Sequence, residues 1–265
     1  MQLLAEEEAK RVETRAQLKD DNFLREMHSR LLPGIENSEV ASKCTKFDAF
    51  DVTRRQLAFE TLAVISSSSG AKQILSQNES LFSMQRAMSH LAVAIATASE
   101  PSLKARHLEA VRMIFDQIAV AGSAQKQNVP IYGSSAAAPD WEEQLLRRWF
   151  RWLGEPFPKL LLQCVRDPIS EVQMGALRVL MALLRHQWAY PHFCAVNGFI
   201  DLLVDRSVAN FDADALQLKH ALVCRVVDAA SPSVNAGQME LLRDYRVKGP
   251  FWLTPQMEVA TEGAG

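Results

Sequence analysis

The stretch Ala-Leu-Arg-Val-Leu-Met-Ala-Leu, residues 176–183, has two counterparts earlier in the chain. They are Ala-Phe-Glu-Thr-Leu-Ala-Val-Ile at 58–65 and His-Leu-Glu-Ala-Val-Arg-Met-Ile at 107–114. In all three, the second, fifth and eighth residues are apolar and the third is charged. This spacing gives a helix with one broad apolar stripe, which is buried when the helix stacks on its neighbours. The repetition therefore predicts an all-α fold, a right-handed superhelical stack of armadillo/HEAT-like repeats.

Composition is compatible with such a solenoid and excludes several other classes. The 265 residues are 48% hydrophobic and 23% charged, as in an ordinary folded protein. The formal net charge of -2 provides no global positive field, so we expect neither nucleic-acid nor membrane partners. The clearest all-apolar run, residues 91–96, is far shorter than the roughly 20 residues that span a bilayer. The apolar residues of this run, Val93 among them, predict instead a deeply buried helix.

Cysteine usage and the N-terminus both favour an intracellular compartment. The four cysteines, at 44, 164, 194 and 224, are too few and too far apart for a disulfide scaffold. The first residues, Met-Gln-Leu-Leu-Ala-Glu-Glu-Glu, lack the basic start and apolar core of a signal peptide. We therefore expect a cytoplasmic location, with the nucleus as a second compartment.

The chain divides into three parts. A charge-rich helix is predicted over about residues 1–32, as a candidate cap for the N-terminal edge of the repeats, and is stopped by Pro33-Gly34. The repeats occupy 51–248, with Asp51 and Asp140 as helix caps, and a tail follows at 249–265. The predicted helices of the repeat region lie at about 51–65, 71–75, 81–97, 103–120, 141–153, 159–165, 172–186, 199–208, 216–229 and 238–246.

One insertion interrupts the repeats. Residues 122–140 are small, polar and punctuated by glycine and proline, which is typical of a flexible loop. The repeat spacing agrees, because His107 lies 49 residues after Ala58 whereas Ala176 lies 69 residues after His107. The excess is close to the length of this segment.

No motif in the sequence indicates catalysis. CxxC and HExxH spacings do not occur, and His192 with Cys194 makes one pair of possible ligands rather than a site. The run of serines before Gly70 is not followed by the Gly-Lys-Thr of a phosphate loop, so a helix-helix turn is the better interpretation. We expect no enzyme activity, no catalytic residues, no metal and no cofactor.

Basic and aromatic residues alternate at 147–152, Arg-Arg-Trp-Phe-Arg-Trp, as they do in some nucleic-acid-binding surfaces. On a helix, however, Arg147, Arg148 and Arg151 share one face and the apolar residues take the other. The pattern therefore favours amphipathic packing, and the three arginines remain a candidate partner-binding patch.

The aromatic pair Phe251-Trp252 in the tail has two interpretations. The tail can fold back over the last repeat and cover its apolar edge, or the pair can be an exposed contact for a partner, since aromatic residues dominate interface energetics. Both residues are therefore candidate partner-binding residues. Within the repeats, Asp205 and Arg206 are predicted to form a buried ion pair that fixes a turn between repeats.

From Trp149 to the end, the sequence resembles a known family. The matching blocks include Val-Asp-Arg-Ser at 204–207 and the ending Gly-Pro-Phe at 249–251. Further blocks that follow the same order lie at 149–150, 166–168, 171, 176–180, 187–189, 193, 198–200, 255 and 262–264. Together they resemble the C-terminal half of the proteasome non-ATPase regulatory subunit 5 family, and the first two repeats look similar as well.

The resemblance implies a fold and a function. Members of this family are armadillo/HEAT-like chaperones that hold the C-terminal domain of one proteasomal ATPase on their concave face while the base of the regulatory particle assembles. The family has no catalytic residues to carry over. The alternative is a general armadillo-type adaptor, which would carry regularly spaced Asn or Trp along a peptide groove. The tryptophans, at 141, 149, 152, 188 and 252, are irregularly spaced, which disfavours it.

Overall fold

The computed structural model describes residues 22, 25–26, 49–116, 140–207 and 212–252, and no strand occurs among them. From residue 49 onward these residues form eleven α-helices and one short 3-10 helix at Gln187–Ala189. The α-helices are α1 Ala49–Ser66, α2 Ser69–Gln77, α3 Met84–Thr97, α4 Pro101–Phe115, α5 Asp140–Trp152, α6 Phe157–Val165, α7 Ser170–Leu183, α8 Tyr190–Cys194, α9 Phe199–Val204, α10 Ala213–Ala229 and α11 Ala236–Lys248. The all-α repeat fold is confirmed.

The helices lie in two layers. In the first layer α1, α4, α7 and α10 stand side by side, each packed on the next. The second layer carries the intervening helices: α3 and α2 pack on α5, and α6, α8, α9 and α11 follow in succession. The three stretches that share the repeat pattern lie in the C-terminal halves of α1, α4 and α7, so the sequence repeat and the first layer are the same feature.

Helix α7 is the centre of the core, between α4, α6 and α10. Over residues 172–184 only Met174 and Arg178 are not fully buried. At Gly175 the two first-layer helices approach so closely that an added Cβ would meet the Leu108 side chain at 3.4 Å. The predicted apolar stripe is therefore confirmed for this repeat, and the burial extends around most of the helix.

Several predicted boundaries and one predicted burial were wrong. Asp51 lies inside α1 rather than capping it, and Asp140 is the first residue of α5. Helix α4 ends at Phe115 instead of continuing to residue 120, with Asp116 at its C-cap. Val93, expected to be deeply buried, is 57% exposed, because α3 lies in the second layer with one side open to solvent.

Polar side chains join α2 to α5, the first helix after the insertion. The ammonium of Lys72 lies 2.7 Å from Glu142 Oε1, and the Ser69 hydroxyl donates to Glu142 Oε2 at 2.7 Å. The side chains of Lys72 and Glu142 are 1% and 6% exposed. We call these three residues the polar joint.

The next residue, Glu143, ties α5 to the end of α7. Its carboxylate accepts a hydrogen bond from Trp188 Nε1 at 2.8 Å and lies 2.8 Å from His186 Nδ1. The imidazole of His186 stacks on the Trp188 indole. Burial alone would raise the pKa of Glu143, but the hydrogen bonds with His186 and Trp188 hold it below its ordinary value.

The proposed helix at 1–32, apart from Asn22, Arg25 and Glu26, lies outside the described residues. So do the insertion at 122–140, except for Asp140, and the tail after Trp252. The domain boundaries therefore remain predictions. Within the described part of the chain, no helix is both long and apolar enough to cross a membrane.

Candidate partner-binding face

The outward side of α4, α7 and α10 forms an open groove across the first layer. Two adjoining hollows of about 560 Å³ and 500 Å³ make up this groove, and they share Glu109, Met174, Arg178 and Asp214. The first hollow is completed by Ser102, Ala105, Arg106, Ser170, Glu171, Gly175 and Asp212. The second is completed by Arg112, Asp116, Met181, Ala182, Arg185, Gln217 and Leu218. We call this surface the layer groove.

Helical spacing places these side chains along the groove. On α7, Met174, Arg178, Met181 and Arg185 follow one another at intervals of four, three and four residues, which keeps them on one side of the helix. Arg178 is the charged third residue of its repeat, as Glu109 is in α4. The sequence therefore contained a signal for the groove, because a charge at the same place in successive repeats lines one continuous surface.

An ion network ties α4 to α7 along the groove. Arg112 forms a fork with the Glu109 carboxylate at 2.7 and 2.9 Å, and its Nη1 donates to Asp116 at 2.6 Å. Arg185 of the α7 end donates to the other oxygen of Asp116. The hydrogen bonds with Glu109 raise the pKa of Arg112 further, so this guanidinium stays charged.

One arginine of the groove lacks a carboxylate partner. Arg178 is exposed, and no ion pair within the described residues involves it. Arg225 of α10, which does not itself line the groove, donates from Nε to the Met181 sulfur at 3.2 Å, and burial followed by repulsion from Arg185 lowers its pKa. The groove thus presents Arg178 among acidic residues that include Glu171 and Asp214, beside the flexible thioether of Met174, which adapts to the shape of a bound surface.

The arginines predicted as a partner-binding patch lie elsewhere. Arg147, Arg148 and Arg151 are all exposed on α5, while Trp149 and Phe150 of the same helix are buried on its other side. The amphipathic packing predicted for this helix is present. Because α5 belongs to the second layer, these arginines are a separate surface from the layer groove.

The two tail aromatics differ in their surroundings. Phe251 is 56% exposed, whereas Trp252 is half-buried with the Lys248 ammonium 4.5 Å from its ring centre. Arg206 contacts both Trp252 and Tyr245 with its guanidinium and donates to the Gly249 carbonyl at 2.6 Å. The described start of the tail therefore lies against the last repeat, and Phe251 remains accessible.

The predicted Asp205–Arg206 ion pair is wrong. The Asp205 carboxylate accepts from the backbone and hydroxyl of Ser207, at 2.9 and 2.7 Å. Arg206 satisfies backbone carbonyls at the end of α11 instead, since its planar fork suits several carbonyls at once.

The cysteines near histidines do not form an activated nucleophile. Burial raises the pKa of the Cys194 thiol, so its reactive thiolate is disfavoured. Cys224 lies 3.8 Å from His220 one helical turn away, a contact that sequence reasoning missed, but burial raises its pKa as well. Within the described part of the chain, no three His, Cys, Asp or Glu side chains come together as metal ligands would.

Comparison with known proteins identifies the family. The family model described as "Proteasome non-ATPase 26S subunit" matches residues 39–265, and the chain belongs to this family. The chain is similar to the 26S proteasome non-ATPase regulatory subunit 5 of Bos taurus, 25% identical over 219 residues that cover 81% of this chain and 39% of that protein.

The proteins of the same name from Mus musculus and Homo sapiens are also similar. The Mus musculus protein is 25% identical over 219 residues, which are 82% of this chain and 40% of that protein. The Homo sapiens protein is 28% identical over 123 residues, 46% of this chain and 24% of that protein. The chain thus spans about two fifths of the length of the Bos taurus and Mus musculus relatives that it matches.

Proposed function

We propose that this protein is a non-catalytic chaperone that holds the C-terminal domain of a proteasomal ATPase subunit in the layer groove while the base of the regulatory particle assembles. Its place of action would be the cytoplasm, with the nucleus as a second compartment. The observation that carries the proposal is an open, charged groove in a helical solenoid whose relatives are named as 26S proteasome non-ATPase regulatory subunits.

The groove has the properties of a surface that holds a folded partner. Arg178 can pair with a carboxylate on the partner without breaking an existing ion pair, and arginine is enriched among residues that dominate binding energy. Met174, one turn before Arg178 on α7, is partly exposed and provides adaptable apolar contact. Arg112 and Arg185 are already neutralised by Asp116 and Glu109, so they set the shape of the groove more than its charge.

The test is capture of each ring ATPase C-terminal domain by the full chain, with the affinity of any complex measured by titration calorimetry. We expect selective capture of one domain. Arg178→Glu should weaken that complex at least about tenfold, because charge reversal places like charges opposite each other. The matched control is Arg148→Glu, an equally simple reversal of an exposed helical arginine in the second layer, which should leave affinity within about twofold.

The opposite result for the two variants would place the binding site outside the layer groove. If Arg148→Glu weakens binding and Arg178→Glu does not, the α5 arginines hold the partner. If a folded chain captures none of the ATPase domains, the chaperone proposal fails and the general armadillo-type adaptor remains. Loss of capture by Phe251→Ala alone would instead place the contact at the tail.

A further inference from the structure

The side of α1 that faces away from α4 is apolar and uncovered. Leu57 is 60% exposed and Val64 is 58% exposed, and they lie seven residues apart, on the same side of the helix. Thr61 lies between them on that side. Because α1 also buries Phe59 and Leu62 on its inner side, it carries apolar residues on two sides, as a helix with neighbours on both sides would.

The repeat register shows what this side of a first-layer helix does elsewhere. Leu57 occupies the position before the repeated octapeptide, where α4 has Arg106 and α7 has Gly175. Gly175 approaches Leu108 of the preceding helix α4, and Arg106 pairs with Glu60 of the preceding helix α1 at 3.4 Å. In both later repeats, this side therefore receives the first-layer helix that comes before it. By the same register, Leu57 and Val64 of α1 form a docking side for one further helix.

We propose that the N-terminal helix predicted within residues 1–32 of this same chain docks on Leu57, Thr61 and Val64 as a further helix of the first layer. Asn22, Arg25 and Glu26 are helical and exposed, and at about 100° per residue they share one side of a helix. In the sequence, Phe23, Met27 and Leu31 recur at intervals of four residues, which predicts one apolar stripe on this helix. An apolar stripe on this helix therefore matches an apolar side of α1.

The length of chain between the two helices permits this contact. Residues 33–48 separate the predicted helix from the start of α1 at Ala49. At roughly 3.3 Å per residue these 16 residues reach about 53 Å. The 18 residues of α1 extend only about 27 Å at 1.5 Å per residue. The helix can therefore lie along α1 in either direction.

The test is the rate of tryptic cleavage at Arg15, Arg25 and Arg30 in the full chain, mapped by mass spectrometry. We expect these sites to be protected in the parent protein. Val64→Asp, which places a charge in the docking side, should accelerate their cleavage by at least about tenfold, because undocking exposes the helix to local unfolding. Val93→Asp is the control, since Val93 is the same residue type, 57% exposed, on α3 of the second layer.

A second measurement tests the docked position without relying on the Val64→Asp variant, which could accelerate cleavage simply by misfolding. In a chain carrying Leu57→Cys and Met27→Cys, a short bismaleimide should join the two new thiols, as read from the cross-linked peptide. Rapid cleavage in the parent, or protection that Val64→Asp leaves unchanged, would overturn the proposal. So would a parent dimer that Val64→Asp converts to a monomer without exposing residues 15–30, since a second copy would then cover α1.

Discussion

Two contacts join helices across the insertion by different chemistry: the contact between α4 and α7 and the contact between α2 and α5. Both bring together helices from opposite sides of the insertion. In the first layer an apolar repeat stripe packs so closely that Gly175 meets Leu108. In the second layer the buried Lys72–Glu142 pair makes the connection. The repeat thus determines the apolar contact, whereas the polar joint depends on single residues outside the repeat.

The polar joint should be the more fragile of the two when one partner is removed. Glu142→Ala leaves the Lys72 ammonium buried without its carboxylate, and we expect the free energy of unfolding to fall by about 3–5 kcal/mol. Urea unfolding followed by circular dichroism measures the change. The double variant Lys72→Met with Glu142→Leu should recover most of the loss, because it removes both charges. A double variant as unstable as Glu142→Ala would show that the joint contributes more than charge compensation.

Truncation of a side chain in the apolar contact should lower the free energy of unfolding in proportion to the cavity that it creates. Leu180 is fully buried in the last turn of α7, and Leu180→Ala should lower the free energy of unfolding by about 2–5 kcal/mol through lost burial and a residual cavity. The control is Leu241→Ala, at a leucine 52% exposed on α11, which should cost far less. A loss below about 1 kcal/mol for Leu180→Ala would contradict the packing of α7 in the core.

These two regions also mark how far the sequence predicts the structure. The first layer was predictable because its apolar residues recur at helical spacing in α1, α4 and α7. The polar joint was not, because Glu142 and Glu143 look like ordinary acidic residues in the first turn of a helix, where they are favourable without any distant partner. Their partners Lys72 and His186 lie 70 and 43 residues away, a separation that no local pattern encodes.

The candidate site shows the same limit. The exposure of Arg147, Arg148 and Arg151 followed from helical geometry, but the layer groove required knowing that α4, α7 and α10 are adjacent. Once they are, the charged third residue of the repeat, Arg178 in α7, faces the groove. Helix ends were the least predictable feature, because Asp116 ends α4 earlier than its apolar pattern suggested.

Acid should weaken the first layer at one defined residue. His107 of α4 is buried against Phe59, and burial lowers its pKa to about 4, an effect that Glu60 only partly offsets. Its unfolded pKa is about 6.5, so between those values the unfolded chain binds the proton and the folded chain does not. Stability should therefore fall as pH drops from 6.5 towards 4, by up to about 3 kcal/mol.

Unfolding titrations at several pH values test this, with His107→Gln as the comparison. The difference between the parent and the variant isolates His107 from the carboxylates that titrate in the same range. Below pH 6.5, the free energy of unfolding of the parent should decrease steadily relative to that of His107→Gln. Parallel pH profiles for the two proteins would mean that His107 can be protonated without leaving its site.

The smallest expected change in stability concerns the ion network of the groove. This prediction distinguishes contacts that hold the helices together from contacts that are available to a partner. The side chains of Arg112, Asp116 and Arg185 are each about a quarter exposed, so solvent screens their attraction. Asp116→Asn should therefore lower the free energy of unfolding by only about 0.2–1 kcal/mol, less in high salt. It should nevertheless change the affinity of the groove for an ATPase domain, because it frees the Arg185 guanidinium to take a carboxylate from outside. A stability loss comparable to that of Glu142→Ala would mean that the network, like the polar joint, is a structural contact between helices rather than part of a binding surface.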